Sequence, residues 1–201
     1  MFDRLLQSLI NPLLQTAARA LVRGGVRADT ITWIGFGLGL GGAAAIASRR
    51  PGLGLALILV SRLADGLDGA VARQTRPTDR GAFLDITLDF IFYASIPLAF
   101  ALADPAAHAL AAAVLLAAFV GTGSSFLAFA LMAERRGLAY PNKGLYYLGG
   151  LTEAGETLAC FAAMCLWPAA FAPLALGFAA LCGVTLLTRL HAGWRLLGDA
   201  A

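Results

Sequence analysis

Apolar residues dominate this chain in long blocks, broken only at short polar or proline-bearing joints. The first 23 residues follow another pattern. Phe2, Leu5, Leu6, Leu9, Ile10, Leu13, Leu14, Ala17 and Leu21 recur at helical spacing, while Arg4, Gln7, Gln15, Arg19 and Arg23 fall between them. This predicts an amphipathic helix with a wide apolar face, broken at Pro12 and lying in the plane of a membrane interface. It lacks the continuous apolar stretch and small-residue cleavage site of a signal peptide.

Six apolar segments follow, at 30–48, 51–73, 80–103, 106–133, 145–167 and 170–193. Their joints carry breaker chemistry: Ser48-Arg49-Arg50-Pro51, Arg76-Pro77-Thr78-Asp79-Arg80, Asp104-Pro105, Glu134-Arg135-Arg136-Gly137 and Trp167-Pro168. Each segment is near the roughly 20 residues that cross a bilayer as a helix. The predicted fold is an all-α integral membrane protein of six transmembrane helices behind an N-terminal interfacial helix. Residues 1–27 form the juxtamembrane helix, and 28–201 form a single transmembrane domain.

Composition agrees. Apolar residues make up 59% of the 201 and charged residues 13%, against about 45–50% and about 25% in soluble domains. The net charge is only +3, and the 15 basic residues are scattered between apolar blocks, which excludes a nucleic-acid binder. Arg4, Arg19, Arg23, Arg27, Arg73, Arg76, Arg80, Arg135, Arg136, Lys143, Arg189 and Arg195 fall on one predicted side, and Arg49 and Arg50 on the other. That bias puts both termini in the cytoplasm. Cys160, Cys165 and Cys182 lack metal-ligand spacing and read as small buried apolar residues. The first span matches G-x-G-x-x-G at 37–42, but no strand precedes it. The pairs Gly35/Gly39 and Gly37/Gly41 fit close helix packing instead.

The chemistry lies in residues 62–89, RLADGLDGAVARQTRPTDRGAFLDITLD. Asp65 and Asp68 are i,i+3 on the second span, and Asp85 and Asp89 are i,i+4 on the third. Each acid at the centre of a membrane helix costs at least about 2.5–3.5 kcal/mol. Such residues are kept for function. The two helices are antiparallel across the Pro77 turn, which brings the acid pairs to matching depths, roughly 6–12 Å from the helix ends at about 1.5 Å rise per residue. Four facing carboxylates call for cations among them. All-oxygen ligation favours magnesium, then manganese or calcium, and the set can bridge two ions. Gly66, Gly69, Ala70 and Ala72 leave the second helix bare beside the acids, and Arg73 offers a planar fork to a phosphate.

Asp65, Asp68-Gly69, Ala72-Arg73, Gly81, Asp85 and Asp89 spell D-x-x-D-G-x-x-A-R followed by G-x-x-x-D-x-x-x-D. This resembles the signature of the CDP-alcohol phosphotransferase family of integral-membrane phospholipid synthases. Every fixed position is matched, with one residue fewer than usual between Arg73 and Gly81. Many members enter the first span with Pro-Asn-x-x-Thr. Here Thr32 is kept, and Ala28 and Asp29 replace the Pro and Asn. The resemblance implies transfer of a phospho-alcohol group from a CDP-linked donor such as CDP-diacylglycerol to a hydroxyl acceptor, small or lipid, with release of CMP. It implies that Asp65, Asp68, Asp85 and Asp89 bind two Mg2+ or Mn2+ ions, that Asp89 is also the catalytic base, and that Gly69, Ala72, Arg73 and Gly81 line the CDP site. It further implies a homodimer, and a bacterial inner membrane with the active site on the cytoplasmic face.

Glu153 and Glu156 share a helix face in the predicted fifth span, within a stretch that resembles G-P-T-E-G of the choline/ethanolamine phosphotransferase branch, with Leu151 in place of the Pro. They are the expected acceptor-pocket residues. Arg135, Arg136 and Lys143 are candidates for a phosphorylated acceptor. A divalent-cation transporter lined by the acids is the competing reading. It requires polar residues continuing to the far side, where the spans are nearly all Ala, Leu, Phe and Ile. A non-catalytic member of the family is a third.

Overall fold

The computed structural model describes residues 2–137 and 151–198, with side chains from residue 11 onward. The described residues form seven α-helices and one short 3-10 turn: α1 Phe2–Arg23, α2 Ala28–Ala47, α3 Pro51–Gln74, α4 Asp79–Ala103, α5 Pro105–Arg135, α6 Ala154–Leu166 and α7 Phe171–Leu196, with the turn at Pro168–Ala170. No strand occurs among them. The all-α expectation holds for the described residues, and the helix boundaries follow the predicted joints except in the predicted fifth span: residues 151–153 are not helical, and Glu153 is the extended N-cap of α6 rather than a residue sharing a helix face with Glu156.

Among the described residues, four stretches are long and apolar enough by themselves to cross a bilayer: Ala28–Ala47, Asp79–Ala103, Pro105–Arg135 and Pro168–Leu196. Helix α3 has the length, with 24 residues, but Arg62, Asp65 and Asp68 interrupt its apolar run. Helix α6 has only 13 residues. The start of the predicted fifth span, 145–150, lies outside the described residues, as does Lys143.

Helix α1 is continuous through Pro12 rather than broken there. Proline removes one backbone donor and with it one bond of the helix, a loss that does not interrupt α1 where it packs on the bundle. One stripe of α1 packs on the bundle: Ala18 is buried with Ile31, Ala70 and Val71, flanked by Leu14, Leu21 and Val22. Leu13, on the other side, is exposed. Gln74 near the end of α3 donates to the Gln15 side chain at 2.7 Å and to its carbonyl at 3.1 Å, which fixes the depth of α1.

Helices α2 and α3 cross closely because glycine removes side chains from the contact. A Cβ on Gly42 would meet the Gly54 carbonyl at 3.0 Å, and one on Gly54 would meet Ile46 at 2.5 Å. Of the two predicted glycine pairs, Gly35/Gly39 faces inward. A Cβ on Gly35 would stand 3.0 Å from that of Ala64, whereas nothing lies within 4 Å of Gly37. The main apolar cluster joins Ile46 and Ile58 to Phe92, Ile96 and Phe100 of α4, Leu115 of α5, Phe161 and Met164 of α6, and Phe178 of α7. Cys165 and Cys182 belong to this cluster and Cys160 packs against it, all three as free thiols. Asp65 and Asp68 therefore fall, along α3, between Ile58 in the main cluster and Ala70 and Val71 in the cluster under α1.

The link from α3 to α4 is only residues 75–78. The Thr78 hydroxyl caps α4 by accepting from the Gly81 amide at 3.1 Å, a typical N-cap bond. A turn this short returns α4 antiparallel to α3 and sets the register of the acids.

Gly39→Ala is expected to cost about 1–3 kcal/mol of stability by overpacking, because its Cβ would stand 2.7 Å from the Phe92 ring and 2.9 Å from Ser61 Oγ. Gly37→Ala, with open space around it, should be neutral or mildly stabilising. Thermal unfolding of the two variants in detergent checks the contrast.

Candidate active site

The short turn and the helical period put three acids in one place. Asp65, Asp68 and Asp85 each offer a carboxylate oxygen, and these oxygens lie within 4.8 Å of one another. Asp68 is buried, Asp65 half-buried and Asp85 exposed. Asp68 is held by a residue from a third helix: Thr32 Oγ1 donates to its Oδ2 at 2.6 Å. Thr32 also donates to the Ala28 carbonyl at 3.1 Å, so its hydroxyl is shared between the two acceptors.

Asp89 lies beside this group but is engaged differently. Arg62 Nη1 donates to Asp89 Oδ1 at 2.6 Å and stands 3.5 Å from Asp65 Oδ1. All four acids line one narrow cleft, with Thr32, Ser61 and Arg62 completing its polar wall. The structure thus brings the four predicted carboxylates together as a trio plus one arginine-bound partner.

Three chambers open around the acids. The first, about 530 Å³, lies among the start of α2, the end of α3 and the start of α4. Gly69, Ala72, Arg73 and Gly81 all line it, together with Thr32, Asp68 and Asp85. Gly69 is bare because Arg73 folds back over it: a Cβ there would meet Arg73 Nη1 at 3.2 Å. Asp29 and Arg80 pair across this chamber from α2 to α4, and Arg27 stands 3.7 Å from Asp29 on the same rim. This explains the Asp at the altered entry to the first span.

The second chamber, about 750 Å³, is lined by Leu14 and Gln15 of α1, Leu59 and Leu63 of α3 and Leu158 of α6, and it reaches Asp65, Asp68, Gly69, Arg73 and Asp85. It shares Asp68, Gly69, Arg73 and Asp85 with the first. Both chambers carry charged groups, the second also Asn11 and Arg62 and the leucines of α1, α3 and α6, and they meet at the acids.

The third chamber, about 310 Å³, lies on the other side of α4 and is lined by Asp89, Tyr93, Thr122, Thr152, Glu153, Thr157, Cys182 and Arg189 among others. Of the four acids, only Asp89 borders both this chamber and the cleft of the trio. Of the two predicted acceptor residues, Glu153 lines the chamber and Glu156 does not. Glu156 Oε2 is buried and has no hydrogen-bond partner among the described residues.

Three further residues belong to the site: Thr32, which the sequence marks only as a motif position, Arg189, which it marks only by its side of the membrane, and Arg62, which has no motif of its own. Arg189 is buried, donates to the Thr122 carbonyl at 3.0 Å and borders the third chamber. The available signal was the same for both arginines: a charge inside an apolar span is a functional candidate by default.

Residues 26–189 match the family model for CDP-alcohol phosphatidyltransferase. The chain is 48% identical over 200 residues to inner membrane protein YnjF of Escherichia coli, covering 98% of this chain and 97% of that protein. Its fold is similar to that of Mycobacterium tuberculosis phosphatidylinositol phosphate synthase PgsA1 with CDP-DAG bound, with a TM-score of 0.68, 25% identity, and coverage of 91% of this chain and 94% of that one. The same synthase in complex with manganese and citrate aligns with a TM-score of 0.73 at 24% identity, over 90% of this chain and 88% of that one. The cation-transporter reading is not favoured by these likenesses. The chain is an integral membrane protein and belongs to the CDP-alcohol phosphatidyltransferase family, the enzymes that move a phospho-alcohol group from a CDP-linked donor to a hydroxyl acceptor in phospholipid synthesis.

Proposed function

We propose that this chain is a divalent-metal-dependent phosphotransferase whose donor is a CDP-linked lipid of the CDP-diacylglycerol type. The observation that carries the reading is the place of Asp89, on the wall between the acid trio and a separate, largely aromatic chamber that also holds Glu153 and Arg189. A base in that position touches both reacting partners. The donor fits the other two chambers. The CDP head suits the first, where Arg73 and the bare Gly69 and Ala72 admit a pyrophosphate, with Gly81 at the far wall. The leucine-walled second chamber suits the acyl chains. CDP-DAG bound to the related PgsA1 supports that donor class.

The trio fits a hard cation, since three carboxylate oxygens already lie within one coordination sphere's width. Asp65, Asp68 and Asp85 would hold Mg2+ or Mn2+, and two ions, as the resemblance implies, would draw on Asp89 as well. Such ions supply charge neutralisation for the pyrophosphate and for the leaving CMP. The protein's own residues do the rest. Arg73 clamps the phosphate, and Glu153 with Arg189 holds the acceptor so that its hydroxyl faces Asp89. Asp89 takes the hydroxyl proton, and the oxygen forms a bond to the phosphorus that bears the lipid alcohol. The bond from that phosphorus to the bridging oxygen breaks, and CMP leaves with the electron pair. Positioning and charge stabilisation are the main catalytic terms.

Six crossings, with α3 and α6 as the polar and the short member, an interfacial α1, and a single catalytic unit over 28–201 complete the proposal. The basic bias of the loops favours cytoplasmic termini and active site. The likeness to an inner membrane protein favours that membrane. Homodimerisation rests on the resemblance alone.

The native chain in detergent micelles, given CDP-diacylglycerol, Mg2+ and a panel of hydroxyl acceptors, should release CMP, and Asp89→Asn should lower the rate about a thousandfold. No metal-dependent CMP release with any acceptor overturns the reading. Glu153→Gln should raise the acceptor KM and leave the donor KM unchanged, in steady-state kinetics on the same assay. Thr32→Val removes the 2.6 Å bond to Asp68 and should weaken Mn2+ binding about tenfold, as measured by titration calorimetry.

A further inference from the structure

Glu153 holds a position that its residue type does not ordinarily take. It is the N-cap of α6, with extended backbone, yet its side chain makes no cap bond. Asp, Asn, Ser and Thr are the usual residues there, because their short side chains reach the next free amides. The backbone of Glu153 is nonetheless held on both sides. Before it, the Thr185 hydroxyl of α7 accepts from the Leu151 amide at 3.1 Å and from the Thr152 hydroxyl at 3.1 Å. After it, the Thr157 amide donates to the Glu153 carbonyl at 3.0 Å and the Thr157 hydroxyl donates at 2.9 Å. Thr157 and Thr185 are both buried. Burying a hydroxyl is unfavourable unless it is hydrogen-bonded, and here both hydroxyls serve one short segment.

That segment is fixed where it presents a charge. Along α7, Thr185 lies between Cys182 and Arg189, and these two residues line the third chamber together with Glu153 and Asp89. The other two charges of the chamber already have partners: Arg62 holds Asp89 at 2.6 Å, and Arg189 donates to the Thr122 carbonyl at 3.0 Å. The Glu153 carboxylate makes no hydrogen bond or ion pair with the described residues. Much of the remaining wall is aromatic, from Phe90, Tyr93, Phe119 and Phe126. An ionised carboxylate only accepts, so what Glu153 lacks is a donor. We infer that Thr185 is a positioning residue that sets Glu153 on the chamber wall, and that the carboxylate so presented selects acceptor molecules carrying a second hydrogen-bond donor, ammonium or hydroxyl, besides the reacting hydroxyl. The inference rests on the reading of this chamber as the acceptor site. The reacting hydroxyl goes to Asp89 and the second donor to Glu153. A simple alcohol would leave Glu153 facing an apolar group, and a site built to hydrogen-bond its ligand rejects the analogue that lacks the bond.

Ethanolamine, ethylene glycol and 1-propanol share one size and one primary hydroxyl and differ only at the far end: ammonium, hydroxyl or methyl. In the CMP-release assay with CDP-diacylglycerol and Mg2+, kcat/KM of the native chain for the better of the first two should exceed that for 1-propanol about tenfold. Which of the two leads identifies the second donor as ammonium or hydroxyl. Glu153→Ala should remove the preference with the donor KM unchanged. Thr185→Val should raise the KM of the preferred probe about fivefold, with the donor KM and the calorimetric Mn2+ affinity unchanged, and Thr185→Ser should restore it. In the Glu153→Ala background Thr185→Val should add no further rise, which separates positioning of Glu153 from a general loss of structure. Thr152→Val, which removes one bond of the pair, serves if Thr185→Val does not fold. Equal rates for all three probes, a preference that survives Glu153→Ala, or an additive effect of Thr185→Val overturns the inference. A native chain that releases no CMP defeats the functional reading. The same probes then decide the inference by binding alone: one of the first two should raise Tm of the native chain more than that of Glu153→Ala, and equal shifts overturn it.

Discussion

The mutual repulsion of four carboxylates at membrane depth is the constraint to which the rest of this structure answers. Water cannot solvate them fully there, and each would cost several kcal/mol if left bare. The protein offsets this in three local ways. Thr32 donates to Asp68 from a neighbouring helix, Arg62 binds Asp89, and the remaining oxygens face a cleft suited to hard cations. No single device serves all four acids. That inequality gives chemically similar side chains different work.

The packing beneath the site is bound up with its electrostatics. Helices α2 and α3 approach closely because Gly35, Gly39, Gly42 and Gly54 carry no side chains at the contact. The same approach brings Thr32 to Asp68 and leaves Phe92 wedged against Gly39. Phe92 then supports Arg62, and Arg62 supports Asp89. A chain of contacts thus runs from a glycine on one helix to a carboxylate on another. Interiors packed to this density transmit small displacements rather than absorb them, so the glycines bear on the geometry of the acids as well as on the fold.

Around the acids two chambers meet at Asp68, Gly69, Arg73 and Asp85, and the second of them adds leucines of α1, α3 and α6. This suits a molecule with a charged head and an apolar tail lying across the membrane boundary. The third chamber touches the acids only through Asp89.

The sequence by itself determined the helices, the breaks between them and the faces on which the acids lie. Helical periodicity and the Pro77 turn are local properties, so Asp65 with Asp68, and Asp85 with Asp89, could be paired without a structure. The bare residues Gly69 and Ala72 beside Arg73 were legible for the same reason. What the tertiary structure decided was which atoms meet across helices. Periodicity gives the face of a helix but not its rotation against its neighbours. Thus the contact of Thr32 with Asp68, the capture of Asp89 by Arg62, and the meeting of Glu153 and Arg189 with Asp89 at one chamber had no local mark. The same limit applies to the glycines, where only packing could select Gly35/Gly39 over Gly37/Gly41. It applies to Pro12 as well, because packing on the bundle carries α1 past a residue that would weaken an isolated helix.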